Sequence, residues 1–286
     1  IYTLNKQFKL QVKSEMFFKK NSYRLLSFIN TQKYPDKFYG IGNNTVESAE
    51  EDYSSRSSTI LISLQKQLLL NFSFGLQYHF NHWSITEKET GGQLENPTLL
   101  GSEGGNISGI GLILTHDTRD NVFSATRGNL VEINFKRYFK FLGSDFSYSD
   151  LSIDVRYFFP VFKRHVIAFQ GKMQTQSGDV PFVSMAKMGG EFNMRGYFFG
   201  RYRDKNLLLF QGEYRMPLFW KLGIVGFAGV GSVADQLKNL TQNPMKLSYG
   251  FGLRFLFDRK ENIVLRFDFG FGENGSSFYF SAFEAF

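Results

Sequence analysis

The sequence has 286 residues, no cysteine, 28 glycines, 34 phenylalanines, 14 tyrosines and only 6 prolines, with a formal net charge of +7. Without cysteine there is neither a disulfide framework nor a thiolate metal site, and no run approaches the roughly 18 apolar residues of a membrane-spanning helix. The positive charge is spread along the chain with no basic helix or recognisable nucleic-acid motif, which speaks against a nucleic-acid partner. Aromatic residues make up 17% of the chain while mean hydropathy is −0.24. Strands that alternate lipid-facing aromatics with polar residues average out in this way.

The chain opens at Ile1 with no basic start and no cleavage pattern, so we expect a processed or trimmed N-terminus with further strands or a domain upstream. Alternation begins in 8–18, where Lys9, Gln11, Lys13 and Glu15 share a polar face, because period 2 sends successive side chains to opposite sides of a sheet. In 70–80 the polar set is Asn71, Ser73, Gly75, Gln77 and His79; in 151–159 it is Ser152, Asp154 and Arg156; in 167–173 it is Ala168, Gln170 and Lys172. Past a long glycine-rich connection, Leu208, Phe210, Gly212, Tyr214 and Met216 oppose Leu209, Gln211, Glu213 and Arg215. In 247–257 a greasy face opposes Ser248, Gly250, Gly252, Arg254 and Leu256, and in 263–271 another opposes Val264, Arg266, Asp268 and Gly270.

A soluble sandwich would also alternate. Three features favour a membrane barrel: runs of the roughly 9 to 11 residues that cross a bilayer obliquely, more runs than one sandwich core needs, and short turns alternating with long loops. Short turns are expected at 18–21, 65–67, 117–127, 160–163, 217–221 and 258–262, facing the periplasm. Long loops are expected at 31–56, 82–106, 177–205 and 234–245, facing the exterior, with shorter exterior connections at 139–145 and 272–276. A short piece at 1–4, eight full strands before the longest loop and five after it give about fourteen strands, an even number as closure requires. The fold expected is therefore all-β: one transmembrane antiparallel β-barrel of outer-membrane type over residues 1–286.

The long connection carries Gly189, Gly190, Met194, Arg195, Gly196 and Tyr197, an arginine bracketed by glycine and aromatics. Chemistry beyond this is sparse. His79, His82, His116 and His165 show no metal-ligand spacing, and His79 and His82 fall on opposite strand faces. There is no Gly-x-Ser-x-Gly elbow, and Gly40 and Gly42 lack the strand, turn and helix context of a phosphate loop. Neither catalysis, a metal nor a cofactor is indicated, and no pair of residues has the height and facing an outer-membrane hydrolase would need. The chain ends in a phenylalanine-rich run that includes Phe278, Phe280 and Phe286, a pattern similar to the signal by which outer-membrane barrels are recognised for assembly; Glu284 stands where such signals place an uncharged residue.

Met194-Arg195-Gly196-Tyr197 after Gly189-Gly190, with Glu213-Tyr214-Arg215 in the next strand, resembles the loop and strand signature of the BamA/TamA-type outer-membrane assembly superfamily, the bacterial surface antigen proteins. The resemblance extends to Asp117-Thr118-Arg119-Asp120-Asn121 followed by Thr126-Arg127-Gly128, similar to the family's periplasmic turn, and to the run 38–45. It implies a barrel of about sixteen strands in a Gram-negative outer membrane, with 177–205 folded into the lumen and Arg195 paired to acids on the inner wall. Glu213 matches the first acid; a second is expected in the following strand, where Gly229 stands, which leaves the lock with one clear acid and makes it either weaker or re-partnered. The resemblance further implies a non-enzymatic insertase or translocase with a weak seam between first and last strands, 278–286 forming one side. Its expected partners are outer-membrane lipids, nascent outer-membrane proteins and periplasmic or lipoprotein subunits. The alternative is a passive channel or a scaffold barrel.

Overall fold

The computed structural model describes residues 7–162, 164–273 and 275–286. In chain order the strands are β1 (Phe8–Phe18), β2 (Tyr23–Phe38), β3 (Glu51–Leu69), β4 (Phe72–Lys88), β5 (Gly104–Asp117), β6 (Gly128–Tyr138), β7 (Tyr148–Val161) and β8 (His165–Gly178). Two short strands, β9 (Ala186–Met188) and β10 (Tyr202–Asp204), lie inside the long connection. They are followed by β11 (Asn206–Pro217), β12 (Leu222–Ala234), β13 (Lys246–Asp258), β14 (Ile263–Gly272) and β15 (Gly275–Ala282). Thirteen strands hydrogen-bond in the order β1 to β8 and then β11 to β15, while β9 and β10 form a separate two-stranded sheet. Eight full strands before the connection and five after it are those the alternation marks. The short piece expected at 1–4 lies outside the described residues.

The chain divides into two compact units. The first takes in the residues up to 115 together with 133–152 and 175–185. Here β2, β3 and β4 run for 16, 19 and 17 residues, so the loops expected at 31–56 and 82–106 shrink to 39–50 and 89–103. The ladder continues through Tyr34, Pro35 and Asp36, opposite Ser55, Ser54 and Tyr53. Beyond the hydrocarbon both faces of a strand tolerate polar residues, so pairing outlasts the period-2 signal. The turn expected at 65–67 lies at 70–71 instead, where Asn71 adopts the left-handed backbone (φ 67°) that a two-residue hairpin demands. Phe38, Tyr53, Leu94 and Phe182 form a buried cluster, and the Glu51 carboxylate accepts the Gln93 and Leu94 amides at 2.5 and 3.1 Å, tying down the 89–103 connection.

The second unit comprises 116–132, 153–174 and 186–286. On β13, Leu247, Tyr249, Phe251 and Leu253 are exposed while Ser248 and Arg254 are buried. On β14, Phe267 and Phe269 are exposed against fully buried Arg266 and Asp268, and on β11 Phe210 and Tyr214 oppose Gln211, Glu213 and Arg215. Apolar side chains outward and charged ones inward reverse the order of a water-soluble sheet, as a lipid-facing strand requires. Register sets Phe251 opposite Phe269 with rings stacked at 5.8 Å.

A charge on this face is therefore expected to be costly in proportion to depth. Phe251→Arg, mid-strand, should destabilise the protein by about 2–4 kcal/mol and Phe257→Arg, at the strand end, by about 0–1 kcal/mol. Urea titration of the protein folded into lipid vesicles measures both, and equal losses would contradict the lipid-facing assignment.

Candidate functional site

The loop between β9 and β10 is a tight fold. Gly189 (φ 109°) and Gly190 (φ 80°) supply backbone that only glycine enters freely, and the Gly190 amide donates to the Tyr197 carbonyl at 2.8 Å. Met194 sits at φ 87°, a strained setting for a side chain with a Cβ. It is held there by burial among Met188, Tyr202, Leu207, Leu209 and Val233. These constraints aim Arg195 at the buried face of β11, β12 and β14.

Arg195 is 1% exposed. Its Nη2 donates to Glu213 Oε1 on β11 and its Nη1 donates to Asp268 Oδ2 on β14 at 2.5 Å. The guanidinium plane also lies over the Phe227 ring, 3.6 Å from its centroid. A planar cation removed from water needs carboxylates in a fork arrangement and gains from an aromatic face. The second acid thus comes from β14 and not from the strand after Glu213, which corrects the expectation placed on Gly229. Of the two alternatives that Gly229 leaves, a weaker lock or a re-partnered one, the structure has the re-partnered one. Asp268 has room because β13 carries Gly252 beside it; a Cβ there would fall 2.0 Å from Asp268 Oδ1. Gly270 likewise lets the loop backbone approach, a Cβ at that position falling 2.6 Å from the Gly196 amide nitrogen.

The remaining lock oxygens are also taken. Glu213 Oε2 accepts Arg215 Nε at 2.8 Å, and Asp268 Oδ1 accepts Arg254 Nη1 at 2.5 Å. Arg254 Nε donates to Glu284 Oε2 at 2.8 Å, and Arg266 Nη2 donates to Glu191 Oε2 at 2.7 Å. Four arginines therefore face four acids. Alternation alone marks Asp268, Arg254 and Arg266 only as polar-face residues; the signal that sets them apart is their charge on strands whose other face is wholly apolar. Tyr197 Oη donates to the Leu247 carbonyl at 2.6 Å and accepts the Glu273 amide at 3.1 Å. Burial, chiefly, pushes this phenol up to about 12. The Gly196 amide donates to Tyr279 Oη on β15 at 3.1 Å.

The connection 118–127 brings its motif residues together locally. Asp117 accepts Arg119 in a bidentate pair at 3.0 and 2.8 Å, and Asp120 accepts the Thr126 amide and hydroxyl at 2.9 and 2.5 Å. Gly128 (φ 95°) approaches Thr118 so closely that a Cβ would fall 2.2 Å from its carbonyl oxygen. The connection also reaches far in sequence, Asn121 Nδ2 donating to the Glu261 carbonyl and Asn262 Nδ2 to the Ser124 carbonyl. Phe278 and Phe280 lie exposed on β15. The strand stops at Ala282, however, and Phe283 turns left-handed (φ 70°). Phe286 therefore does not continue the strand expected over 278–286; it is buried with Ala125, Phe158, Ala168 and Ala285. Among the described residues no group of three His, Asp or Glu side chains is placed to hold a metal.

Two outcomes are expected. Glu213→Gln and Asp268→Asn should each cost about 3–5 kcal/mol by leaving a buried arginine underpaired. Because they share Arg195, their combined cost should depart from the sum by about 0.5–3 kcal/mol; guanidinium unfolding in micelles reads the cycle, and strict additivity would refute a shared lock. Burial raises the Asp120 carboxyl, but hydrogen bonds from Thr126 and Arg127 prevail and hold it below the ordinary 3.8. A depressed folded-state value means that its contribution is complete above 3.8 and is lost as pH falls through the lower folded value. Cleavage of 118–127 by an acid protease should accordingly rise below pH 3.8, and Asp120→Asn should abolish that step.

The Omp85 superfamily domain matches residues 2–286. The structure is similar to that of BamA from Haemophilus ducreyi lacking POTRA domains 1–3, with a TM-score of 0.67 and 15% identity over 97% of this chain and 61% of that one. It is similar to CdiB from Escherichia coli (TM-score 0.61, 12% identity, 96% of this chain, 52% of that one) and to CdiB from Acinetobacter baumannii (0.62, 14%, 96% and 50%). This chain thus spans 61% of the BamA structure and about half of each CdiB chain. No curated protein matches the sequence. With thirteen strands hydrogen-bonded in chain order and a domain match over nearly its whole length, the chain belongs to the Omp85 superfamily of Gram-negative outer-membrane β-barrel proteins.

Proposed function

We propose that the chain is the membrane portion of a factor that inserts or translocates polypeptides at the outer membrane, and that it works without catalysis. The observation that carries this reading is the buried constellation of Arg195 with Glu213 and Asp268, which fixes the long loop on the inner face of the strands next to β15. The loop 177–205 is read as a lumenal element. Its 189–197 part braces β15, the last strand of the hydrogen-bonded order, and in this reading β15 forms one side of a weak seam that templates an incoming strand. Main-chain donors and acceptors on such an edge recruit extended polypeptide irrespective of sequence. Partners in this reading are outer-membrane lipids, nascent outer-membrane proteins and periplasmic or lipoprotein subunits.

The test is made in the native host. Replacing the chromosomal copy with Arg195→Ala, at matched levels of the folded protein, should lower the amounts of other outer-membrane or exported proteins several-fold, as quantitative proteomics of the outer membrane would show. Unchanged client levels, together with steady conductance of the purified protein in planar bilayers, would replace this reading with that of a passive channel.

A further inference from the structure

Each acid of the lock has two oxygens, and each uses one for Arg195 and the other for a second arginine. Those second arginines lead to one place. From Glu213, Arg215 continues through Nη2 to the main-chain oxygen of Phe286 at 3.0 Å and through Nη1 to that of Ala125 at 3.2 Å. From Asp268, Arg254 continues through Nε to the Glu284 carboxylate at 2.8 Å. Two parallel chains of charge-assisted hydrogen bonds therefore run from the loop arginine to the segment 283–286. All their members except that segment's own residues lie on the buried faces of β11, β13 and β14 or in the loop.

The segment itself is poised. Left-handed Phe283 breaks it away from β15, its ring stacks on Phe123 at 4.7 Å, and the Phe283 and Glu284 amides donate to the Val264 and Phe123 carbonyls at 2.7 and 3.1 Å. Glu284 thus acts as a receptor for Arg254, which accounts for an acid where a hydrophobic strand end would carry an uncharged residue. Buried carboxylates cannot lose one arginine without redistributing the other, because an underpaired charge in a water-poor site carries a large desolvation cost.

We propose that Arg215 and Arg254 are positioning residues that couple docking of the 189–197 loop to the inward placement of 283–286, and so to the geometry of the end of β15. The proposal rests on the reading of β15 as a templating edge and adds its control. With the loop docked, both acids are shared and the segment is held; with Arg195 withdrawn, Glu213 and Asp268 recruit Arg215 and Arg254 more fully and the bonds to Phe286 and Glu284 weaken. Coupling of this kind is reciprocal: releasing the segment loosens the loop.

Hydrogen exchange of the whole chain in lipid nanodiscs, read by mass spectrometry without any client, tests this. In Arg195→Gln the Phe283 and Glu284 amides should exchange between about 5-fold and 150-fold faster than in the parent, although Arg195 touches neither residue. In Arg254→Lys, which keeps the charge but loses the fork, the same amides should open and the Gly190 and Gly196 amides of the loop should also gain exchange. Wild-type protection of 283–286 in a folded Arg195→Gln protein would overturn the proposal. If that variant does not fold, Arg254→Lys decides alone, since a released segment beneath a fully protected loop would equally overturn it. The measurement contains no client, so its failure leaves the assembly reading standing, and loss of the assembly reading leaves the coupling to be judged on exchange.

Discussion

A guanidinium taken out of water has to be met by carboxylates in its own plane, and the second unit is arranged around that requirement at Arg195. Glu213 and Asp268 stand three strands apart in the hydrogen-bonded order, with β12 and β13 between them, so a single side chain bridges four strands of wall. The Phe227 face closes the remaining side. Because Arg215, Arg254 and Arg266 are buried nearby, the acids serve several cations at once, and the whole cluster is close to neutral only as a set. Removing one member does more than delete one contact, since it unbalances charges that have no water to turn to.

Much of this was legible in the sequence. Period-2 alternation marked thirteen full strands and put Glu213 and Arg215 on the same face, and it also put Asp268 on the corresponding face of β14. The alternation did not show which inner-face residues meet. Chain order specifies neighbours within a sheet, whereas a loop packed on the buried face of the strands can reach any strand beneath it. The strand next to Glu213 offers only Gly229 at the corresponding place, while the partner stands on β14. Asp268 was a lone acid among Phe267, Phe269 and Phe271, which was a usable signal once adjacency was set aside.

Other features had no local signature at all. Asn121 and Asn262 each bond main-chain oxygens far along the chain, and nothing in the adjoining residues distinguishes them from ordinary turn asparagines. The turn at 70–71 was hidden by Leu68, Leu69 and Leu70, which read as strand because they are apolar. The lengths of β2, β3 and β4 were underestimated because polar strand outside the hydrocarbon looks like loop. In each case the structure follows hydrogen-bonding demand, which continues after the hydrophobic pattern has ended.

Gly252 and Gly270 leave the inner surface of β13 and β14 bare of side chains where Asp268 and the loop backbone lie. The ladder of this strand pair consists of main-chain bonds, and its outward face is aromatic. Its inner surface, however, is completed by atoms that belong to a different part of the chain. The wall is therefore not self-sufficient at this point: the 189–197 loop supplies atoms of a surface that β13 and β14 do not finish for themselves.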